Sequence, residues 1–176
     1  MLIKIIDYLG YSGPVILFIF SIYLLRIKNT FLVYYIFGYI INILINTILK
    51  YTIKNPRPDE DLSIFNASKT HGKRIIIDKY GMPSGHSQNT FYSLFFIFFV
   101  LFYKKIKSKY NFIIILFYIF TTINTSYQRI KYKNHTLFQV IIGGICGSII
   151  GALFYNMADK KLVGVLTYKV DDNAPI

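Results

Sequence analysis

Residues 135–156 read HTLFQVIIGGICGSIIGALFYN. From Leu137 onward about twenty residues pass without a charge, and a helix of that length matches the roughly 30 Å hydrocarbon core of a bilayer. Within it Gly143, Gly147 and Gly151 recur at intervals of four. That is the small-xxx-small spacing that lets two membrane helices approach backbone to backbone. The stretch therefore predicts a closely packed transmembrane helix. His135 and Gln139 stand one turn apart at its entrance, and polar groups that enter a membrane helix are costly enough to need a reason.

Working outward, four more apolar runs lie near residues 14–26, 30–49, 88–103 and 110–127. The runs at 14–26 and 88–103 fall short of the ~20 residues of a perpendicular span, so tilt or extension past these limits is implied. Residues 2–11, with Leu2, Ile3, Ile6 and Leu9, predict a short N-terminal helix, interfacial or a stub, ending at a Gly13-Pro14 break. The fold class is all-α: a polytopic membrane helix bundle of five transmembrane helices plus that short helix. One domain covers residues 1–176, with its core at 30–156 and a polar tail at 157–176. No small-residue cleavage pattern follows the first apolar stretch, so a retained segment is expected, not a removed signal peptide.

Composition agrees. The chain of 176 residues is 54% hydrophobic and only 16% charged, against about 25% charged in soluble domains. Its formal charge of +12 does not imply nucleic acid, because the basic residues lie in loops and at the ends of apolar runs, where insertion and anionic lipid favour them. The single cysteine, Cys146, lies inside an apolar run. It excludes an internal disulfide framework and reads as a packing residue. Short basic loops, RIKN and KKIKSK, and the basic stretch after Met157 share one face of the membrane, which the positive-inside rule assigns to the cytosol. The loops 50–87 and 128–136 share the other.

Asn42, Asn46 and Lys50 are spaced four apart on one helix face; for the asparagines a helix–helix hydrogen-bonding seam is expected. His71, in the hydrophilic stretch HGKR, reads as a solvated loop histidine. His86, in Pro83-Ser84-Gly85-His86, and His135 each stand where a loop turns into a helix. Loop pairing brings Lys50, Arg57, His86, Arg129 and His135 to one end of the bundle. Three cations and two histidines suit a phosphoryl group, with the cations neutralising nonbridging oxygens. The backbone N–H groups of Ser84 and Gly85, at a helix N-terminus, add donors. One histidine can attack phosphorus and the other protonate the leaving oxygen. Metal does not fit: Asp59, Glu60, Asp61 and Asp78 have no ligand spacing to His86 or His135, and the cations disfavour a divalent ion. No metal and no other cofactor is expected.

The three blocks Lys50-x6-Arg57-Pro58, Pro83-Ser84-Gly85-His86 and Arg129-x5-His135 resemble the type 2 phosphatidic acid phosphatase superfamily, whose members include integral-membrane lipid phosphatases. The resemblance covers about residues 30–156. It implies that Lys50, Arg57 and Arg129, assisted by Ser84 and Gly85, hold the phosphate. It implies His86 as general acid and His135 as the nucleophile of a phosphohistidine intermediate, without metal. Two positions depart from the common pattern: Arg129 follows Gln128 in place of serine, and Gln139 replaces an aspartate four residues after the nucleophile. A carboxylate there would stabilise the imidazolium formed during attack. If ring orientation is the only task of position 139, aspartate should serve as well or better.

Finer detail resembles the dolichyldiphosphatase branch: Lys50-Tyr51-x-Ile53-Lys54-x-Pro56-Arg57-Pro58, Lys79-Tyr80-Gly81-Met82-Pro83-Ser84-x-His86-Ser87-Gln88 and His135-Thr136-x-x-Gln139-Val140. In that branch the residue at the 139 position is typically glutamine, whereas Gly85 follows the wider pattern. The resemblance implies hydrolysis of a polyprenyl (dolichyl-type) diphosphate to the monophosphate and inorganic phosphate, with the lipid diphosphate presented from the bilayer. It implies an endoplasmic reticulum membrane with a lumenal site, serving N-glycosylation, if the host makes dolichol, and otherwise the outer face of the plasma membrane. Opposed protonation states of the two histidines imply a bell-shaped pH profile. Two alternatives stand beside this: a phosphatase for phosphatidic acid or another lipid phosphate, and an inactive membrane protein that binds polyprenyl phosphates.

Overall fold

The computed structural model describes residues 2–58, 69–70, 73–74, 79–103 and 110–160. His71, the acidic residues at 59–61 and 78, the KKIKSK loop and the tail beyond Lys160 lie outside the described residues. Five long helices dominate: α1 (Leu2–Leu25), α2 (Asn29–Ile53), α3 (Gly85–Phe102), α4 (Asn111–Lys131) and α5 (Leu137–Asp159). Between α2 and α3, two-residue strands β1 (Lys69–Thr70) and β2 (Lys73–Arg74) pair antiparallel, with Lys69 opposite Arg74. Segments Ile5–Leu25, Asn29–Ile53 and Leu137–Asp159 are long and apolar enough to cross a membrane. That makes the chain an integral membrane protein. Outward-facing Ile19, Ile48, Ile123 and Ile149 are all more than half exposed, as a lipid-facing surface allows and a water-facing one of this size does not.

The expected N-terminal stub is not a separate element. Residues 2–11 and the run from 14 form one continuous helix through Pro14. Proline removes a single backbone donor, a loss that packing against neighbouring helices offsets inside a membrane bundle. Here Gly10 and Gly13 bring α1 directly onto α4, against Gln128 and Thr125. The Asn124 side-chain amide donates to the Ile6 carbonyl at 2.9 Å. Above this contact, Lys131 Nζ bonds both Asp7 oxygens, at 2.8 and 2.9 Å, and the Tyr132 hydroxyl donates to Asp7 at 2.7 Å.

Helix α3 is central and packs against all four others. On α5, a Cβ at Gly143, Gly147 or Gly151 would fall within 3 Å of the carbonyl oxygens of Ser84, Gln88 and Tyr92 respectively. The two backbones are therefore in contact, as the glycine spacing predicts. On its α2 side, Asn42 donates to Asn89 at 2.7 Å, Asn46 donates to Gln88 Oε1 at 2.8 Å, and Gln88 Nε2 donates back to Asn42 at 2.9 Å. The expected asparagine seam thus exists, and its polar atoms satisfy one another where an unmet one would be costly. The centre is aromatic, with Tyr35, Tyr92, Phe96 and Tyr118 fully buried. Their hydroxyls find partners, Tyr35 with Ser93 at 2.7 Å and Tyr92 to the Tyr35 carbonyl at 2.8 Å.

Replacing Gly147 by leucine drives a side chain into the Gln88 backbone. Overpacking of this kind costs about 1–3 kcal/mol or more, so thermal unfolding in detergent should fall by about 5 °C or more. The outward Ile19→Leu change should leave it unmoved.

Candidate active site

Four chain segments meet at one end of the bundle, and each is turned by local chemistry. Helix α2 delivers Lys50, 5% exposed, in its last turn. The helix then stops at Lys54, which takes the left-handed conformation while its N–H returns to the Lys50 carbonyl at 3.0 Å. Asn55-Pro56-Arg57-Pro58 follows without helix, and the Asn55 carbonyl accepts from Gly81 N–H at 2.9 Å. That bond joins the Arg57 segment to the one leading into α3.

Ser84 is the residue before α3. Asn46 of α2 donates to the Pro83 carbonyl at 3.2 Å, and the Ser84 N–H donates to the Gln139 carbonyl at 3.0 Å. This corrects one expectation: the Ser84 N–H does not point at a ligand but ties α3 to α5. Gly85, the first helical residue, keeps the expected position at the N-terminus, where the opening N–H groups have no acceptor in their own helix.

Helix α4 delivers Arg129, 5% exposed, in its last turn. The Arg129 carbonyl then accepts from both Asn134 N–H and His135 N–H, at 3.0 and 3.2 Å, with Lys133 left-handed between them. The fixed spacing from Arg129 to His135 is thus a tight turn folded back on its own origin. Thr136 opens α5 with a capping box: its hydroxyl accepts from Gln139 N–H, and Gln139 Oε1 accepts from Thr136 N–H, each at 3.2 Å.

The two histidines each face an arginine. Arg57 Nη1 lies 3.1 Å from His135 Nε2 and also donates to the Asn134 carbonyl at 2.9 Å. Arg129 Nη1 lies 3.4 Å from His86 Nε2, while its Nε donates to Gln128 at 2.8 Å. Because a guanidinium can only donate, His135 Nε2 must present its lone pair, and the ring proton sits on Nδ1. Nδ1 in turn is 3.2 Å from Gln139 Oε1.

Gln139 has all four of its hydrogen-bonding positions occupied. Oε1 accepts from His135 Nδ1 and Thr136 N–H; Nε2 donates to Asn55 Oδ1 at 2.5 Å and to the Pro56 carbonyl at 2.7 Å. The backbone partners leave no choice of orientation, since Thr136 N–H only donates and the Pro56 carbonyl only accepts. A Cβ at residue 81 would strike this amide, so Gly81 leaves it room. Position 139 thus has a second contact besides ring orientation: a carboxylate there could still orient the ring but would set an acceptor against the Pro56 carbonyl.

His135 is buried, 3% exposed. Desolvation, then the charges of Arg57, Lys50, Arg129 and His86, hold its imidazole well below the ordinary value of 6.5. The site thus gathers Lys50, Arg57, His86, Arg129, His135 and Gln139 as expected, with Ser84 and Gly85 at the mouth of α3. Among the described residues no group of three or more His, Cys, Asp and Glu side chains could hold a metal ion. Asn55, Thr136 and Tyr11 were missed. Thr136 was legible, as Thr-x-x-Gln is a capping-box pattern. Tyr11, whose ring lies 5.5 Å from that of His86 and 5.1 Å from the Arg129 guanidinium carbon, reaches the site only because α1 is continuous.

Residues 31–162 match the family model of the PAP2 superfamily. Among curated proteins, the chain is 30% identical over 119 residues to Dolichyldiphosphatase 1 of Dictyostelium discoideum, covering 65% of this chain and 46% of that protein. It is 24% identical over 166 residues to Dolichyldiphosphatase 1 of Rhinolophus ferrumequinum, covering 90% and 66%. The chain thus spans about half to two thirds of the length of these relatives. No solved structure matches it significantly.

In Gln139→Glu a carboxylate replaces a neutral acceptor beside the ring, and the His135 pKa should rise by about one pH unit or more. Histidine NMR titration in detergent reads this directly. An unchanged titration would mean that the side chain at 139 does not act on the imidazole.

Proposed function

The chain belongs to the PAP2 superfamily, and on that premise we propose that it hydrolyses a polyprenyl, dolichyl-type diphosphate to the monophosphate and inorganic phosphate. The observation that carries this is His135 held as a neutral imidazole between Arg57 and Gln139, with His86 beside Arg129 in the same cationic site. The two relatives' names supply the diphosphate, and Gln139 agrees with that branch.

In this reading all five helices span the bilayer, and the cationic site lies at one membrane face. In a host that makes dolichol, that face is the lumenal side of the endoplasmic reticulum; otherwise it is the outer face of the plasma membrane.

Both histidine Nε2 atoms face arginine N–H groups in the structure. Nonbridging oxygens of the terminal phosphate take up those donors, with Lys50 adding charge, and so release the nitrogens. His135 Nε2 attacks phosphorus in line, forming a P–N bond as the P–O bond to the bridging oxygen breaks. His86 Nε2, which takes up a proton from solvent once Arg129 has turned to the phosphate, gives it to the departing lipid monophosphate. Water then attacks the phosphohistidine, His86 takes the water proton, the P–N bond breaks and inorganic phosphate leaves. Throughout, the Gln139 carbonyl oxygen accepts from Nδ1–H and supports the developing positive charge without cancelling the cations that hold phosphate.

Phosphate release from purified protein, with chelator present, should be greater from dolichyl diphosphate than from phosphatidic acid, and His135→Ala should abolish it. Preference for phosphatidic acid would move the substrate assignment; undiminished turnover in His135→Ala would end the nucleophile assignment. The sign of the pH dependence also follows. Protonating His135 removes the nucleophile, so the acid limb of kcat/KM should lie below pH 6.5. Removing the Arg57 charge makes imidazolium easier to form, so Arg57→Ala should move that limb to higher pH while also weakening binding.

A further inference from the structure

The family-model match begins at residue 31, so α1 lies ahead of it, yet α1 places one side chain beside the cationic site. The Arg129 guanidinium carbon stands over the Tyr11 ring, 5.1 Å from its centroid. The His86 imidazole lies 5.5 Å from the same ring, tilted by 49°. Tyr11 is therefore the neighbour of one residue that holds phosphate and of the histidine that serves as acid.

The position of Tyr11 is set by the docking of α1 on α4. One residue before it, Gly10 brings the two helices together, since a Cβ there would fall 2.8 Å from Gln128 Cβ. One turn before it, Asp7 is held by Lys131 and Tyr132. Asn124 holds the Ile6 carbonyl at 2.9 Å. These contacts bracket Arg129 along α4, so α1 is fixed to the stretch of chain that carries this arginine.

Arg129 is held on a second side by Gln128, which accepts from its Nε at 2.8 Å. The two supports differ in a way that suits an anion site. Gln128 takes one of the five guanidinium donors. The ring attracts the cation through its π face and takes none. A carboxylate in place of Tyr11 would bind the guanidinium more strongly, but it would occupy the N–H pair that phosphate needs and cancel its charge.

We propose that Tyr11 is a positioning residue for the phosphate site: its ring, docked by α1, keeps the Arg129 guanidinium turned toward the bound phosphoryl group through a cation–π contact that consumes none of its donors. The proposal rests on the lipid-phosphatase reading above and adds α1 to its machinery. The contact persists while Arg129 exchanges His86 Nε2 for phosphate oxygens, because a π face is indifferent to which acceptor the N–H groups meet.

The test grades the charge on the ring face at nearly constant shape. Tyr11→Leu should weaken binding of inorganic phosphate to the purified full chain, read by titration calorimetry in detergent, by about fivefold or more, whereas Tyr11→Phe should stay within about twofold of wild type. Phenylalanine analogues bearing one, two and three ring fluorines at position 11 draw charge from the π face, and should weaken phosphate binding in that order. The kcat/KM for dolichyl diphosphate should fall in parallel. A ring needed only for packing would be replaced equally well by every analogue. Equal phosphate affinity across the fluorinated series, or Tyr11→Phe as impaired as Tyr11→Leu, would overturn the proposal, and the first result does not depend on Tyr11→Leu folding. Hydrolysis of the lipid diphosphate by wild type with a flat series would remove the positioning role and keep the phosphatase reading. Graded phosphate binding without hydrolysis would remove the phosphatase reading and keep the positioning role.

Discussion

The backbone contact between α3 and α5 is the constraint on which the site depends. Three glycines of α5 lie against the carbonyl oxygens of Ser84, Gln88 and Tyr92, one turn apart along α3 and its N-cap, and the Ser84 N–H closes the same seam at its upper end by donating to Gln139. His86 stands in the first turn of α3 and His135 immediately before the cap of α5, so the seam sets the distance between them. Side chains at any of the three glycines would open it and separate His86 from His135. The hydrogen-bonded asparagine face of α2 then fixes α3 from the opposite side, and Asn46 holds the Pro83 carbonyl directly.

Upon that frame, the side chain of position 139 adds direct bonds between α5, His135 and the Arg57 segment. One amide caps α5, sets the tautomer of His135 and grips the Asn55–Pro56 segment that carries Arg57. Both its lone pairs and both its protons are used, which neither a carboxylate nor a hydroxyl can match. Neutrality matters as well. Burial first, and then the charges of Arg57, Lys50 and Arg129, hold the His135 imidazole well below its ordinary value, and a negative charge among them would oppose both that effect and the binding of an anion.

Much of this was legible in the sequence, and the limits have physical causes. Apolar runs announced helices because the length a bilayer demands leaves few other readings. Phosphate chemistry restricts residue type and spacing, so Lys50, Arg57, His86, Arg129 and His135 could be assembled without coordinates. The glycine spacing announced its own packing. The N-terminal stub was misjudged because Gly13-Pro14 is a local stop signal, whereas the contact of α1 with α4 that overrides it is tertiary. Tyr11 was invisible for the same reason. The Ser84 N–H was assigned to a ligand because nothing local shows that Gln139, distant in sequence, already accepts from it. The partners of the Gln139 amide N–H groups were not legible, since Asn55 and Pro56 lie on another segment.

A covalent phosphoryl group on His135 is the central claim of this account. Rapid acid-free quenching of the enzyme with dolichyl diphosphate labelled at its terminal phosphate, followed by peptide mass spectrometry, tests it most directly. The account predicts an acid-labile, base-stable phosphoryl group on the peptide containing His135, in wild type and not in His135→Ala. Phosphate release at the wild-type rate with the label on another residue, or on none, would contradict it.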